Sequence, residues 1–130
     1  MKKKNRASAA ASGSLLAAIG LFASLSALAN KVDIVDVQVT PQGGGSYRFD
    51  VTLKHDDEGW DHYANKWQVL SPHGKLLGER VLLHPHVSEQ PFTRSLGGVE
   101  IPAGLREVDV RAWDTVHGEG ETMRVKLPAQ

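Results

Sequence analysis

The 130-residue sequence contains no cysteine. That absence excludes disulfide staples, thiolate nucleophiles, thiolate metal ligands and a lipid-bearing cysteine behind a leader. Aromatic residues are scarce as well, with three Trp, two Tyr and three Phe, so a stretch that gathers several of them stands out. Only one long apolar run exists, LLAAIGLFASLSALA at residues 15–29. It is short for a bilayer span, which needs about 20 apolar residues. Lys2, Lys3, Lys4 and Arg6 precede it, and Ala27-Leu28-Ala29 ends it with small residues at −3 and −1 before Asn30. This is the pattern of a cleaved secretory signal. The expectation is a signal peptide over residues 1–29 and one domain over 30–130, periplasmic or secreted, with no membrane insertion after cleavage.

An excess of positive charge is also missing. Four of the 15 basic residues and none of the 15 acidic ones fall in the leader, leaving 11 against 15, a formal charge of −4. Binding to nucleic acid or to an anionic membrane through bulk charge is therefore not expected. About 100 residues suit a single hydrophobic core.

Helical periodicity is nearly absent, and what remains reads as strands. YRFDVTLK alternates Tyr47, Phe49, Val51 and Leu53 against Arg48, Asp50, Thr52 and Lys54. Similar alternation runs over 31–40, 107–114 and 122–127, with shorter strands over 67–70, 75–83 and 92–101, separated by PQGGGS, SPHG and IPAG turns. Seven short strands predict an all-β, antiparallel seven-stranded immunoglobulin- or fibronectin-like sandwich. In the gap over 55–66, Trp60, Tyr63, Ala64 and Trp67 stand at i, i+3, i+4, i+7, a spacing that permits one or two helical turns with an aromatic face on the sandwich edge.

Chain reversal at each strand places alternate connections at one pole. The connections PQGGGS, SPHGK and IPAGL share one end; HDDEGWDHYAN, HPHVSEQP and TVHGEGE share the other. Five of the six histidines then meet there: His55, His62, His84, His86 and His117, with His73 opposite. His84-Pro85-His86 is held extended by its proline, so both imidazoles face one side. His55 has the parity of Leu53 and Val51, and Asp114 that of Val110 and Ala112, so both point toward the core.

Two readings follow. In the first, His84, His86 and His62, with His55 or His117 as fourth, ligate a divalent transition metal, while Asp57 and Asp114 accept hydrogen bonds that orient the imidazoles. Nitrogen and oxygen donors without sulfur favour zinc, copper(II) or nickel(II), with zinc or copper(II) the leading choices. In the second, the domain is a non-enzymatic module that binds a cell-envelope protein or glycan through Trp60 and Tyr63. Nothing resembles a nucleophile elbow, a phosphate loop or a dinucleotide fingerprint, so the balance leans away from an enzyme. The bland alternatives are neutral, hydrogen-bonded loop histidines and aromatics that plug the sandwich end.

The stretches HDDEGWDHYANKW, VLLHPHVSEQPFTRSL, GVEIPAG and the later VHG together resemble a family of small exported bacterial single-domain proteins. The resemblance spans nearly all of residues 47–127. It implies a Gram-negative-type exported sandwich and brings no catalytic mechanism with it.

Overall fold

A computed structural model describes residues 31–129. The expected signal peptide over 1–29 lies outside the described residues. Among those described there are seven strands and no helix: β1 Asp33–Gly43, β2 Ser46–Lys54, β3 Ala64–Leu70, β4 Leu76–Val81, β5 Phe92–Glu100, β6 Glu107–Asp114 and β7 Gly118–Lys126. They form two antiparallel sheets, ordered β1-β2-β5 and β4-β3-β6-β7, packed as a sandwich. Among the described residues, no helix is long and apolar enough to cross a membrane.

Period-two patterning decides which side chains meet between the sheets. In β2, Tyr47, Phe49, Val51 and Leu53 are buried, and in β6 Val108, Val110, Ala112 and Asp114 are. Each inward row faces apolar partners because successive residues of a strand point to opposite faces. Trp67, Phe49 and Leu53 are the bulkiest fully buried side chains and sit with Val32, Val51, Val69, Val108 and Val110. At about 25 cal/mol per Å² of apolar surface, burying each contributes roughly 1.5–3 kcal/mol.

β3 departs from simple alternation. Ala64 and Trp67 are both buried although three positions apart, and a register shift against β6 lies between Ala64 and Lys66. The extra residue of that bulge resets the parity, so both side chains turn inward. β3 begins three residues earlier than the pattern predicts, and residues 55–63 form an irregular loop with one turn rather than helical turns. Accordingly Trp60 does not plug the core; it is exposed and packs edge-on against Tyr63 at 5.6 Å. β1 continues through Pro41 to Gly43, which an edge strand tolerates. β7 starts at Gly118, four residues before its alternating segment.

The connections 55–63, 82–91 and 115–117 emerge at one pole and are bonded to each other. Asp57 accepts from the His86 amide at 2.7 Å, and Thr115 Oγ1 accepts from the Tyr63 amide at 3.2 Å. The gathering of these loops at one end is therefore a feature of the structure.

Candidate metal centre

The pole is built from the end of β2 outward. His55 follows Leu53 at the same parity and is buried. Its amide donates to Gln90 Oε1 at 3.0 Å, and Gln90 Nε2 donates to the His86 carbonyl at 2.9 Å, so one glutamine clamps two loops. Two residues on, the buried Asp57 carboxylate accepts from His55 Nδ1 at 2.6 Å, from the Ala64 amide at 2.9 Å and from the His86 amide. A carboxylate that already accepts two amide protons takes the imidazole proton as a third. His55 therefore carries its proton on Nδ1 and directs the Nε2 lone pair inward.

His62 is set the same way by different residues. Gly59, at φ +109°, opens a tight turn in which the His62 amide donates to the Gly59 carbonyl at 3.2 Å. Only glycine adopts that backbone geometry without strain. The turn brings His62 Nδ1 to 2.7 Å from Glu58 Oε1, so Nε2 again holds the lone pair.

Asp114, the last residue of β6, supplies the third group. Its Oδ1 accepts from the Val116 amide at 2.8 Å and the His117 amide at 2.6 Å, and lies 3.2 Å from His117 Nδ1 and 3.4 Å from His62 Nε2. Its Oδ2 is 3.8 Å from His55 Nε2. One ligand atom each from His55, His62 and Asp114 lie within 4.8 Å of one another. Two of the atoms at this point, His62 Nε2 and Asp114 Oδ2, are buried and make no hydrogen bond. Buried acceptors without a donor are costly, about 1–3 kcal/mol each. A cation placed among them satisfies both.

The rings pack closely. His55 and His62 meet edge to face at 4.9 Å between centroids, and His62 and His117 lie 5.0 Å apart. His117 is partly exposed and borders the group without joining its convergent ligand atoms.

His84 and His86 lie at the same pole but in a separate cluster. Their rings are 4.5 Å apart and on one side of the segment. His86 is buried, stacked on Phe92 at 3.9 Å, with Nε2 2.8 Å from Arg94 Nη2. A guanidinium only donates, so that nitrogen accepts, and its lone pair is spent on Arg94. Burial, then the Arg94 and His84 charges, hold the His86 pKa below the ordinary imidazole value. His84 is exposed, its Nδ1 2.9 Å from the Pro85 carbonyl. The structure thus brings together His55, His62 and Asp114, beside His117, and sets the 84–86 pair apart from them. Asp57 orients an imidazole, whereas Asp114, expected to do the same, presents its own oxygen to the group. Sequence reasoning missed Glu58, Gln90 and Arg94. The i, i+4 spacing of Glu58 and His62 was the one signal available; Gln90 acts from the β4–β5 loop and Arg94 from β5, and no spacing in the sequence marks either.

Fold and site together define a small two-sheet β domain with a buried imidazole–carboxylate group at one pole. Among known sequences it is similar to a protein of Halomicrobium mukohataei named "Putative lipoprotein", at 48% identity over 90 residues, 69% of this chain. The chain spans 44% of that relative's length. No family model matches the chain, and no solved structure matches it.

Proposed function

We propose that this is an exported domain that binds a divalent transition metal, zinc or copper(II), through His55 Nε2, His62 Nε2 and Asp114 Oδ2. The observation that carries this reading is the pair of buried, unbonded atoms, His62 Nε2 and Asp114 Oδ2, aimed into one space. Each ligating imidazole donates its other nitrogen to a carboxylate, the arrangement that metal-binding histidines ordinarily show. Two nitrogens and one oxygen suit zinc or copper(II), and His117, its ring 5.0 Å from that of His62, could complete a fourth position by rotation.

The strand partition β1-β2-β5 against β4-β3-β6-β7 supports the immunoglobulin/fibronectin type of sandwich. The leader pattern supports export to the periplasm or beyond, and the relative's name is in keeping with an envelope location. Anchoring through an acylated cysteine is not part of this proposal, since these 130 residues contain none.

Calorimetric titration of the untagged mature chain with zinc and copper(II) tests the metal reading. The expected dissociation constant is tighter than about 10 μM, roughly 7 kcal/mol. His62→Ala and Asp114→Ala should each weaken binding at least tenfold, whereas His84→Ala should leave it unchanged. Because protons compete for imidazole lone pairs, affinity should weaken as the solution is made acidic. Undiminished affinity in His62→Ala would remove the proposal.

A second reading, a non-enzymatic cell-envelope interaction module, draws on the exposed Trp60 stacked edge-on against Tyr63. An envelope protein or glycan that stays bound in chelator and is released by Trp60→Ala would favour it.

A further inference from the structure

We infer that the histidine-bearing pole of one copy docks head to tail into a groove at the opposite pole of a second copy of this chain. Among the described residues, the four most exposed large hydrophobics are Leu83 at 76%, Trp60 at 67%, Val87 at 62% and Val116 at 58%. All four belong to the three connections of the metal-site pole. Those loops are bonded into one surface through Asp57–His86 and Tyr63–Thr115. None of residues 55–63, 82–91 and 115–117 is a lysine or arginine; Asp56 and Asp61 are exposed among them without an ion pair, while Glu58 is bonded to His62 at 2.7 Å and Glu89 to Arg94 of β5 at 3.3 Å. Lys54, at the margin, is opposite Asp33 in the strand register. This pole is apolar and acidic.

The opposite pole has the complementary character. A groove of about 830 Å³ is lined by Tyr47, Pro72, Leu105, Arg106, Lys126 and Leu127, among others. Glu107, the acid on its wall, is already held by Arg124 at 3.3 Å. Arg106 and Lys126 form no ion pair among the described residues, and Lys75 is exposed on the neighbouring β3–β4 turn. Apolar anchors set in carboxylates on one pole thus match an apolar groove set in cations on the other. Branched aliphatics beside the tryptophan suit a protein groove better than a sugar face, and the exposed Asp56 and Asp61 carboxylates beside them disfavour anionic lipid.

The two surfaces differ, so the contact is heterologous and does not close: each added copy leaves one pole and one groove open. Mass should grow with concentration, and salt should oppose the growth by screening the charge match.

Sedimentation of the exported chain in chelator, from ~10 μM to ~1 mM, reads this directly, since a small charge-matched contact is expected to bind in roughly the 0.1–1 mM range. The expected result is a weight-average mass that rises across this range at low salt and falls back toward the monomer in 0.5 M salt. Trp60→Ser/Leu83→Ser spoils the pole alone, and Arg106→Glu/Lys126→Glu the groove alone. Each variant should remain a monomer, and an equimolar mixture should give a 1:1 dimer that grows no further. Dimer formation on mixing also shows that both variants are folded. A wild type that stays monomeric throughout overturns the inference, as does a single-face variant that associates like the wild type. Monomers that instead co-float with anionic vesicles in a Trp60-dependent way assign the pole to a membrane and overturn it too. The absence of metal keeps this outcome independent of the metal site.

Discussion

Asp57 accepts hydrogen bonds from three segments: His55 at the end of β2, Ala64 at the start of β3 and His86 in the β4–β5 loop. Removing its carboxylate leaves three donors without an acceptor in a buried position. At about 1–3 kcal/mol for each unsatisfied group, partly offset by entering water, Asp57→Ala should cost roughly 2–4 kcal/mol. Urea denaturation in chelator measures this directly. A loss under about 0.5 kcal/mol would mean that solvent takes over the carboxylate's role. His86 supplies a pH signature. Its folded-state pKa lies below the ordinary value, so the unfolded chain binds a proton that the folded chain refuses. The stability tied to His86 is present above about pH 6.5 and declines as pH falls through that value toward the lower folded pKa. His86→Phe, which preserves stacking on Phe92, should show a shallower loss of stability between pH 7.5 and 5.5; equal slopes would contradict the assignment.

Strand packing imposes a different kind of constraint. The Glu121 amide donates to the Val32 carbonyl at 3.2 Å, tying β7 to the residue just before β1 along the open edge between the sheets. Gly120 permits this approach. A Cβ there would meet Val32 O at 2.9 Å, Val32 N at 3.1 Å and Ala112 O at 3.3 Å, all backbone atoms that cannot swing aside. Gly120→Ala should destabilise by about 1–3 kcal/mol. Gly97→Ala is the matched control, because the nearest atoms to its Cβ belong to the flexible Gln42 side chain at 3.4 Å and beyond. It should change stability by no more than about 0.5 kcal/mol, as a surface position does. Thermal or urea unfolding of the two variants side by side decides the matter. The strands themselves were legible because alternation is written residue by residue, as in Tyr47, Phe49, Val51 and Leu53. The bulge between Ala64 and Lys66 was not, because an extra residue shows only against the partner strand it fails to match.

For the molecule as a whole, the proposed metal binding would be coupled to folding as one equilibrium. A ligand present at 100 times its dissociation constant, and bound only by the folded chain, adds about 2.7 kcal/mol. For a domain near 100 residues that is a rise in Tm of roughly 10–20 °C. Zinc should produce it, chelator should reverse it, and Asp114→Ala should abolish it in a scanning calorimeter. What the sequence by itself determined is the set of strands, their inward rows, and the pole to which three loops return. Parity carried His55 and Asp114 toward the interior because β2 and β6 keep period two up to those residues. Only the tertiary structure decided which imidazoles converge. Residues 55–63 and 82–91 have no period to aim their side chains, so His62 was turned toward Asp114 by the Gly59 turn and Glu58, while His86 was captured by Phe92 and Arg94. In an irregular loop a side chain's direction is set by contacts with distant residues, and those exist only once the two sheets have closed.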